Sequence, residues 1–246
     1  MINTIENKIN QYSSELNKSI QDLSILVSFS AGIDSTVLSS LMIELKAKYS
    51  FSLHLIHFNH DAHTNAIYME QFCRSFAQLN NVKYYSKKLS FRKSCNFESA
   101  ARKKRYIELR NKANRLNCDI ILTAHHKDDQ IETLFMKKID GADWISKIGI
   151  RESIGRVKRP LLQISKAVIR QTAKERTLSW IEDPTNNDDS FRRNYVRSIL
   201  LPEALKKCPA LVNNLIAEAA ACKTRFASLI SNFDNSKKLL IRNESE

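Results

Sequence analysis

A short apolar run, then a turn of small side chains, then helical periodicity: this succession restricts what the chain can fold into. Residues 24–29 are rich in Ile, Leu and Val, Ser30-Ala31-Gly32 follows, and from Ser35 onward Val37, Leu38, Leu41, Met42 and Leu45 recur at helical spacing. The spacing predicts a buried strand, a tight loop and a helix. The same alternation continues, with strands over 51–58, 82–88 and 119–123 and helices over 64–80, 98–117 and 127–139. Strands alternating with helices of 10–20 residues imply right-handed crossovers and a parallel sheet. After Gly141 the pattern weakens: 154–158 reads as a strand before Arg159-Pro160, 166–176 as a helix, and 180–194 as a polar loop broken by Pro184. From Pro202 the pattern is helical to the end. The fold class expected is α/β, a doubly wound parallel sheet over residues 1–200, with a short helical extension over 201–246.

Charge narrows the partners. The 246 residues carry 39 Lys+Arg against 26 Asp+Glu, a net of +13. Residues 83–115 hold 12 basic and two acidic side chains, and residues 147–176 hold nine and two. Two basic segments on a body that is otherwise slightly acidic are what a phosphate-rich partner such as RNA would meet, and solvated helix faces would also produce them. Four glycines are few for a chain of this size, so a retained Gly is expected to have a backbone reason. Five cysteines, scattered and without a CxxC pair, argue against a disulfide framework or a zinc site. No signal-peptide pattern opens the chain and no apolar stretch reaches membrane-spanning length, so a soluble protein of the cytoplasm, without a membrane partner, is expected.

The loop Phe29-Ser30-Ala31-Gly32-Ile33-Asp34-Ser35-Thr36 joins the first strand to its helix. Free N–H groups and the positive end of the helix dipole make such a place ready for an anion, and small side chains let the backbone approach phosphates. Ser30 and Ser35 add hydroxyls, and Asp34 suits a Mg²⁺ ion held against phosphate oxygens. An ordinary turn with Asp34 or Ser35 as helix cap is the plainer reading. Neither GxxxxGK[ST] nor GxGxxG is present.

Four later blocks carry further polar chemistry. His57-Phe58-Asn59-His60 ends the second strand, at the edge where doubly wound sheets bind ligands. Glu98 and Arg102 lie one turn apart in Glu98-Ser99-Ala100-Ala101-Arg102-Lys103-Lys104-Arg105-Tyr106. In Thr123-Ala124-His125-His126-Lys127-Asp128-Asp129-Gln130-Ile131-Glu132-Thr133, a helix would put His125, Asp128, Asp129 and Glu132 on one face and Ile131, Leu134 and Phe135 on another. Two carboxylates and a His at a strand end suit Mg²⁺ or a cationic amine. Asp183-Pro184-Thr185-Asn186 precedes Arg193-Asn194-Tyr195-Val196-Arg197, where two arginines one turn apart suit a bidentate phosphate or base contact.

The loop resembles the SGGxDS pyrophosphate loop of the N-type ATP pyrophosphatases, the PP-loop superfamily of adenine nucleotide alpha hydrolase-like ATPases. Here Ala31 replaces the first Gly, a change that is neutral at negative φ and costly at positive φ. With TAHHxDDQxET, ARxxRY, RPLL and DPTN…RNxxR in this order, residues 20–200 are similar to the tRNA(Ile)-lysidine synthetases. That resemblance implies a ligase that adenylates C2 of the wobble cytidine of a tRNA(Ile) with a CAU anticodon, then lets the ε-amine of free L-lysine attack C2, releasing AMP and pyrophosphate. It implies that Ser30, Ala31, Gly32, Ile33, Asp34 and Ser35, with His57, Arg102 and Arg105, hold ATP. It implies catalytic roles for Asp34, His125, Asp128, Asp129 and Glu132, with Mg²⁺ on Asp34 and Asp128, and RNA contacts from Arg193, Asn194 and Arg197. A homodimer is one assembly open to it. The alternatives are a tRNA thiolase, which the missing CxxC pairs disfavour, a GMP or NAD synthetase, which shares the loop and not the basic segments, and an inactive tRNA-binding module.

Overall fold

The computed structural model describes residues 1–59, 65–89, 97–183, 185 and 188–243. His60, Cys95, Pro184 and Asn186 lie outside the described residues, as does the side chain of Glu98 and hence its pairing with Arg102. In chain order the elements are α1 (Ile2–Glu15), β1 (Ser24–Ser28), α2 (Ile33–Tyr49), β2 (Ser52–Asn59), α3 (Asn65–Leu79), β3 (Lys83–Lys88), α4 (Phe97–Arg115) and β4 (Ile120–Leu122). There follow α5 (Lys127–Ile139), β5 (Ser153–Ile154), β6 (Val157–Lys158), α6 (Lys166–Glu175), α7 (Arg192–Tyr195), α8 (Leu201–Lys207) and α9 (Leu211–Asn243). They divide into two compact units, residues 1–127 with 152–186, and residues 128–151 with 187–246.

The first unit holds a six-stranded sheet in the order β3-β2-β1-β4-β6-β5, with β3 and β5 at its edges. The pairs are parallel except β5 with β6, so the order reverses at β1 as a doubly wound sheet requires. Why β1 reads as one apolar run is plain from its two faces. Ile25 and Val27 enter a core with Val37 and Leu41 of α2 and Ile5 and Ile9 of α1, while Leu26 enters a second core with Leu109 and Ala113 of α4. Both faces are covered, so the three central positions, Ile25 to Val27, are apolar and the two serines fall at the half-buried ends.

Two details differ from the sequence expectation. Residues 154–158 form a hairpin and not one strand, because Gly155 adopts φ +54 and reverses the chain between Ile154 and Val157. Helix α1 was not expected: Ile5, Ile9 and Tyr12, spaced at one turn, bury one face of an otherwise polar segment.

The second unit is helical. Leu134 and Phe135 of α5 pack with Val196 and with Leu215 and Ala219 of α9. Arg192–Tyr195 is already helical within the stretch read as loop, and it runs through a π turn, Val196–Leu200, into α8. Gly149 closes a bend with φ +72, where an added Cβ would lie 2.8 Å from Gln130 and Leu134 side-chain atoms. Gln130 fills that space by bonding both sides of the bend, donating to the Ile148 carbonyl and accepting from the Ile150 N–H. No helix among the described residues is long and apolar enough to cross a membrane.

Candidate active site

At the carboxyl end of β1 the loop folds onto its own hydroxyls. The Ser30 N–H donates to Ser35 Oγ at 3.1 Å, Ser35 Oγ donates to the Gly32 carbonyl at 2.9 Å, and Thr36 Oγ1 donates to the same carbonyl at 3.1 Å. Gly32 caps α2 in extended conformation, and Ile33, Asp34 and Ser35 form the first turn, whose N–H groups have no acceptor within the helix. Ala31 takes φ +68, fully buried, with its carbonyl accepting from the Ile181 N–H at 3.0 Å. The position is therefore one where the replaced glycine would have been conformationally free and alanine is not.

Beside the loop opens a cleft of about 140 Å³, lined by Ser30, His57, Asn59, Met69, Arg105 and Asp183 among others. His57 Nδ1 lies 3.0 Å from the Phe29 carbonyl. A carbonyl only accepts, so the proton sits on Nδ1 and Nε2 carries the lone pair. Burial holds this imidazole below its usual range. Burial, with Arg102 nearby, also lowers the Arg105 pKa. The cleft thus lines its walls with a guanidinium, an imidazole and the Asp183 carboxylate, groups suited to a polar ligand.

Asp34 faces two basic groups. Lys166 Nζ reaches both of its carboxylate oxygens at 2.7 Å, and His126 Nε2 lies 3.7 Å from Oδ1. Arg102 donates to His125 Nε2 at 3.3 Å, and His125 Nδ1 lies 3.0 Å from Thr123 Oγ1. His125 precedes the first residue of α5, so it does not share a helical face with Asp128, Asp129 and Glu132, contrary to expectation. The chain leaves β4 extended to Lys127 before it turns helical.

In the second unit Asp128 and Asp129 occupy the first turn of α5, where the dipole favours carboxylates. Glu132 is 2% exposed. Its Oε2 accepts from Arg193 Nε at 2.9 Å, its Oε1 from Arg197 Nε at 2.6 Å, and Oε2 again from Arg197 at 3.1 Å. Arg193 also donates to Asp129 Oδ1 at 3.2 Å and to Thr133 Oγ1 at 3.4 Å. A carboxylate this deep requires such compensation. Asn194 donates to the Asp188 carbonyl at 2.9 Å. The two arginines read as a phosphate fork in the sequence thus form, with Glu132, a three-residue clamp.

Lys166 was missed in the sequence, and a signal for it existed. It is the first residue of α6, behind the cap Ser165. A cation at a helix N-terminus opposes the dipole, so a lysine there implies an anion elsewhere. The basic segment 147–176 is also largely committed inside its own units: Arg156 to the Cys118 carbonyl, Lys158 to Glu15, Arg159 to the Tyr106 hydroxyl, Arg176 to Glu44, and Lys147 to Glu218. By contrast α4 leaves Arg102, Lys103, Arg110 and Arg115 exposed.

A match to the PP-loop domain family covers residues 1–204. The chain belongs to that family. As a PP-loop protein it is similar to the tRNA(Ile)-lysidine synthase of Histophilus somni (strain 2336), 31% identical over 227 residues, which is 90% of this chain and 51% of the relative. It is also similar to the tRNA(Ile)-lysidine synthase of Pseudomonas syringae pv. tomato, 35% identical over 181 residues, or 72% of this chain and 40% of that one. The chain thus spans about half the length, or less, of these curated relatives. Among solved structures, the U34-tRNA thiolase NcsA from Methanococcus maripaludis superposes with a TM-score of 0.65 at 16% identity, covering 89% of this chain and 79% of that one. At that identity the likeness is one of PP-loop fold.

Proposed function

We propose that this PP-loop protein is a tRNA-modifying ligase that joins free L-lysine to C2 of the wobble cytidine of a CAU-anticodon tRNA(Ile), splitting ATP to AMP and pyrophosphate. What carries the reading is that 90% of the chain aligns with a tRNA(Ile)-lysidine synthase, together with a loop, Ser30 to Ser35, built to receive phosphates. In the proposed reaction the C2 oxygen of the cytidine attacks the α-phosphorus and pyrophosphate leaves. The ε-amine of lysine, having lost a proton, then attacks C2, and AMP leaves with the oxygen.

Each group has a proposed part. The loop N–H groups and the Ser30 and Ser35 hydroxyls hold phosphate oxygens. His57 and Arg105 line the cleft for the nucleotide, and Arg102 meets phosphate or RNA. Among the described residues no cluster of three or more His, Cys, Asp or Glu could hold a metal alone. Asp34 still fits Mg²⁺, which commonly binds one or two carboxylates together with substrate phosphates and water. Mg²⁺ there would offset charge on the departing pyrophosphate. Asp128 and Asp129 are proposed to receive a cation, whether metal or the lysine ammonium, and to accept its proton. His125 Nε2 becomes available as a base when Arg102 turns to a phosphate. Arg193, Asn194 and Arg197 are proposed for the RNA, with Glu132 fixing where the arginines point. On the first unit, the exposed α4 arginines and lysine are proposed as RNA contacts of their own.

Thiolation is less well supported. Cys73 and Cys118 are buried, and burial raises both thiols, away from the thiolate that sulfur transfer needs, while the more exposed Cys208 and Cys222 lie 14 residues apart and form no CxxC pair. Incubation with ATP, Mg²⁺, labelled lysine and CAU-anticodon tRNA(Ile) is expected to put label into the RNA and release AMP. Sulfur incorporation in place of lysine would overturn the proposal.

A further inference from the structure

Asp34 is the loop's only carboxylate, yet its charge is already matched by a lysine 132 residues further along the chain. Lys166 Nζ sits 2.7 Å from each oxygen, which is where a cation bound to this carboxylate would compete. Both side chains are 26% exposed, so the contact is open to solvent. A lysine ammonium on a four-carbon stem is a mobile point charge, unlike a planar guanidinium fork. The helix that carries it presents its own positive dipole end at the same place. Two positive features therefore converge on the single acidic group of a loop whose backbone is shaped for anions.

We propose that Lys166 is an exchangeable counter-ion for Asp34, which keeps a divalent cation off Asp34 until nucleotide arrives and then transfers to the nucleotide phosphates. The inference rests on the nucleotide reading of the loop and goes beyond it by assigning Lys166. With the ammonium on Asp34, a dication meets both an occupied carboxylate and a repelling charge. Phosphate oxygens give the ammonium a better anion than one carboxylate and release Asp34 to the metal. Metal binding at this site thus becomes conditional on nucleotide binding. In that role Lys166 would be a binding residue for the phosphates.

The test uses Mn²⁺ as a spectroscopic probe for the metal, with the whole protein. Without nucleotide, Lys166→Met is expected to bind Mn²⁺ at least about fivefold more tightly than wild type in electron paramagnetic resonance titrations, because a full positive charge has left the site. Lys166→Arg, which keeps the charge, is expected to stay near wild type in that titration. The Lys166→Met/Asp34→Asn double variant is expected to lose the gain, which places the ion on Asp34. In calorimetric titration with ATP, Lys166→Met is expected to bind about tenfold more weakly, as for one lost charge-assisted contact. Unchanged Mn²⁺ affinity in Lys166→Met, or unchanged ATP affinity, would overturn the exchange. A lower melting temperature with both affinities unchanged would make Lys166 a structural strap, and also overturns it. If wild-type protein bound no ATP, the nucleotide reading itself would fall, and the exchange with it. That outcome is visible in the wild-type titration alone and is distinct from any failure of Lys166.

Discussion

Asp34 in the first unit and Glu132 in the second are both carboxylates near the start of a helix, and both are held by basic side chains. They are held differently. Asp34 is partly exposed and meets one flexible ammonium. Glu132 is almost wholly buried and takes bonds on both oxygens from two guanidiniums. The first arrangement can be undone by a competing anion, because solvent and a long stem make the loss small. Undoing the second would leave a buried charge without a partner, which is among the larger penalties a fold can incur. The difference separates a group that can act on a ligand from one that holds an arm in place.

The largest effect expected is on turnover. Asp34→Asn should lower AMP release in the lysine and tRNA assay by at least about 100-fold, as for other lost transition-state charge stabilisers. Its urea unfolding midpoint should stay near wild type. A wild-type rate would put Asp34 on the same footing as Glu132. Next is Glu132→Gln, which keeps the shape but removes the charge facing two arginines. We expect a loss of about 2 kcal/mol in urea unfolding, less than for a fully buried pair because the arginines are partly exposed. An unmoved midpoint would show that the clamp is as replaceable as the Asp34 pair.

Acid sharpens the contrast without any substitution. All six histidines precede residue 128, so the second unit has none. Burial lowers the folded-state pKa of His54 and His57 below the usual 6.5. The unfolded chain then binds protons that the folded state refuses, and stability falls as pH drops below 6.5 toward the folded values. Hydrogen exchange resolved along the chain should show the first unit loosening in that window and the second not. Equal loosening in both would refute the assignment. The smallest change expected is Ala31→Gly. Relief of about 1–2 kcal/mol from positive φ is offset by about 0.5–1 kcal/mol of glycine entropy and about 0.8 kcal/mol for the buried methyl. Thermal unfolding should therefore move by less than about 1 kcal/mol in either direction.

How much of this was legible follows from distance along the chain. The β1–loop–α2 unit, the strand alternation and the apolar face of α5 were readable because each depends on residues a few positions apart. Ile5, Ile9 and Tyr12 were equally readable at helical spacing, and α1 was still overlooked because its other positions are polar. His125 was placed on a helix that begins two residues later, since spacing does not mark where a chain leaves a strand. What sequence could not supply was pairing across long separations. Lys158 with Glu15 and Lys166 with Asp34 turn apparent surface charge into internal contacts. Arg193 and Arg197 had the spacing of a phosphate fork, and only the fold reveals the glutamate between them. The positive φ of Ala31, posed by the sequence as a condition, was decided by the backbone.

The ends of the sheet have a consequence for self-association. An exposed edge strand invites another chain to add to it, which is how ordered aggregates begin. One edge here, β3, sets Lys83, Lys87 and Lys88 in solvent, and the other, β5, is two residues long. A second copy approaching β3 would bring like charges together, and one approaching β5 would find almost no backbone to pair with. Part of the positive charge that resembles an RNA footprint thus also disfavours a dimer made by continuing the sheet at β3.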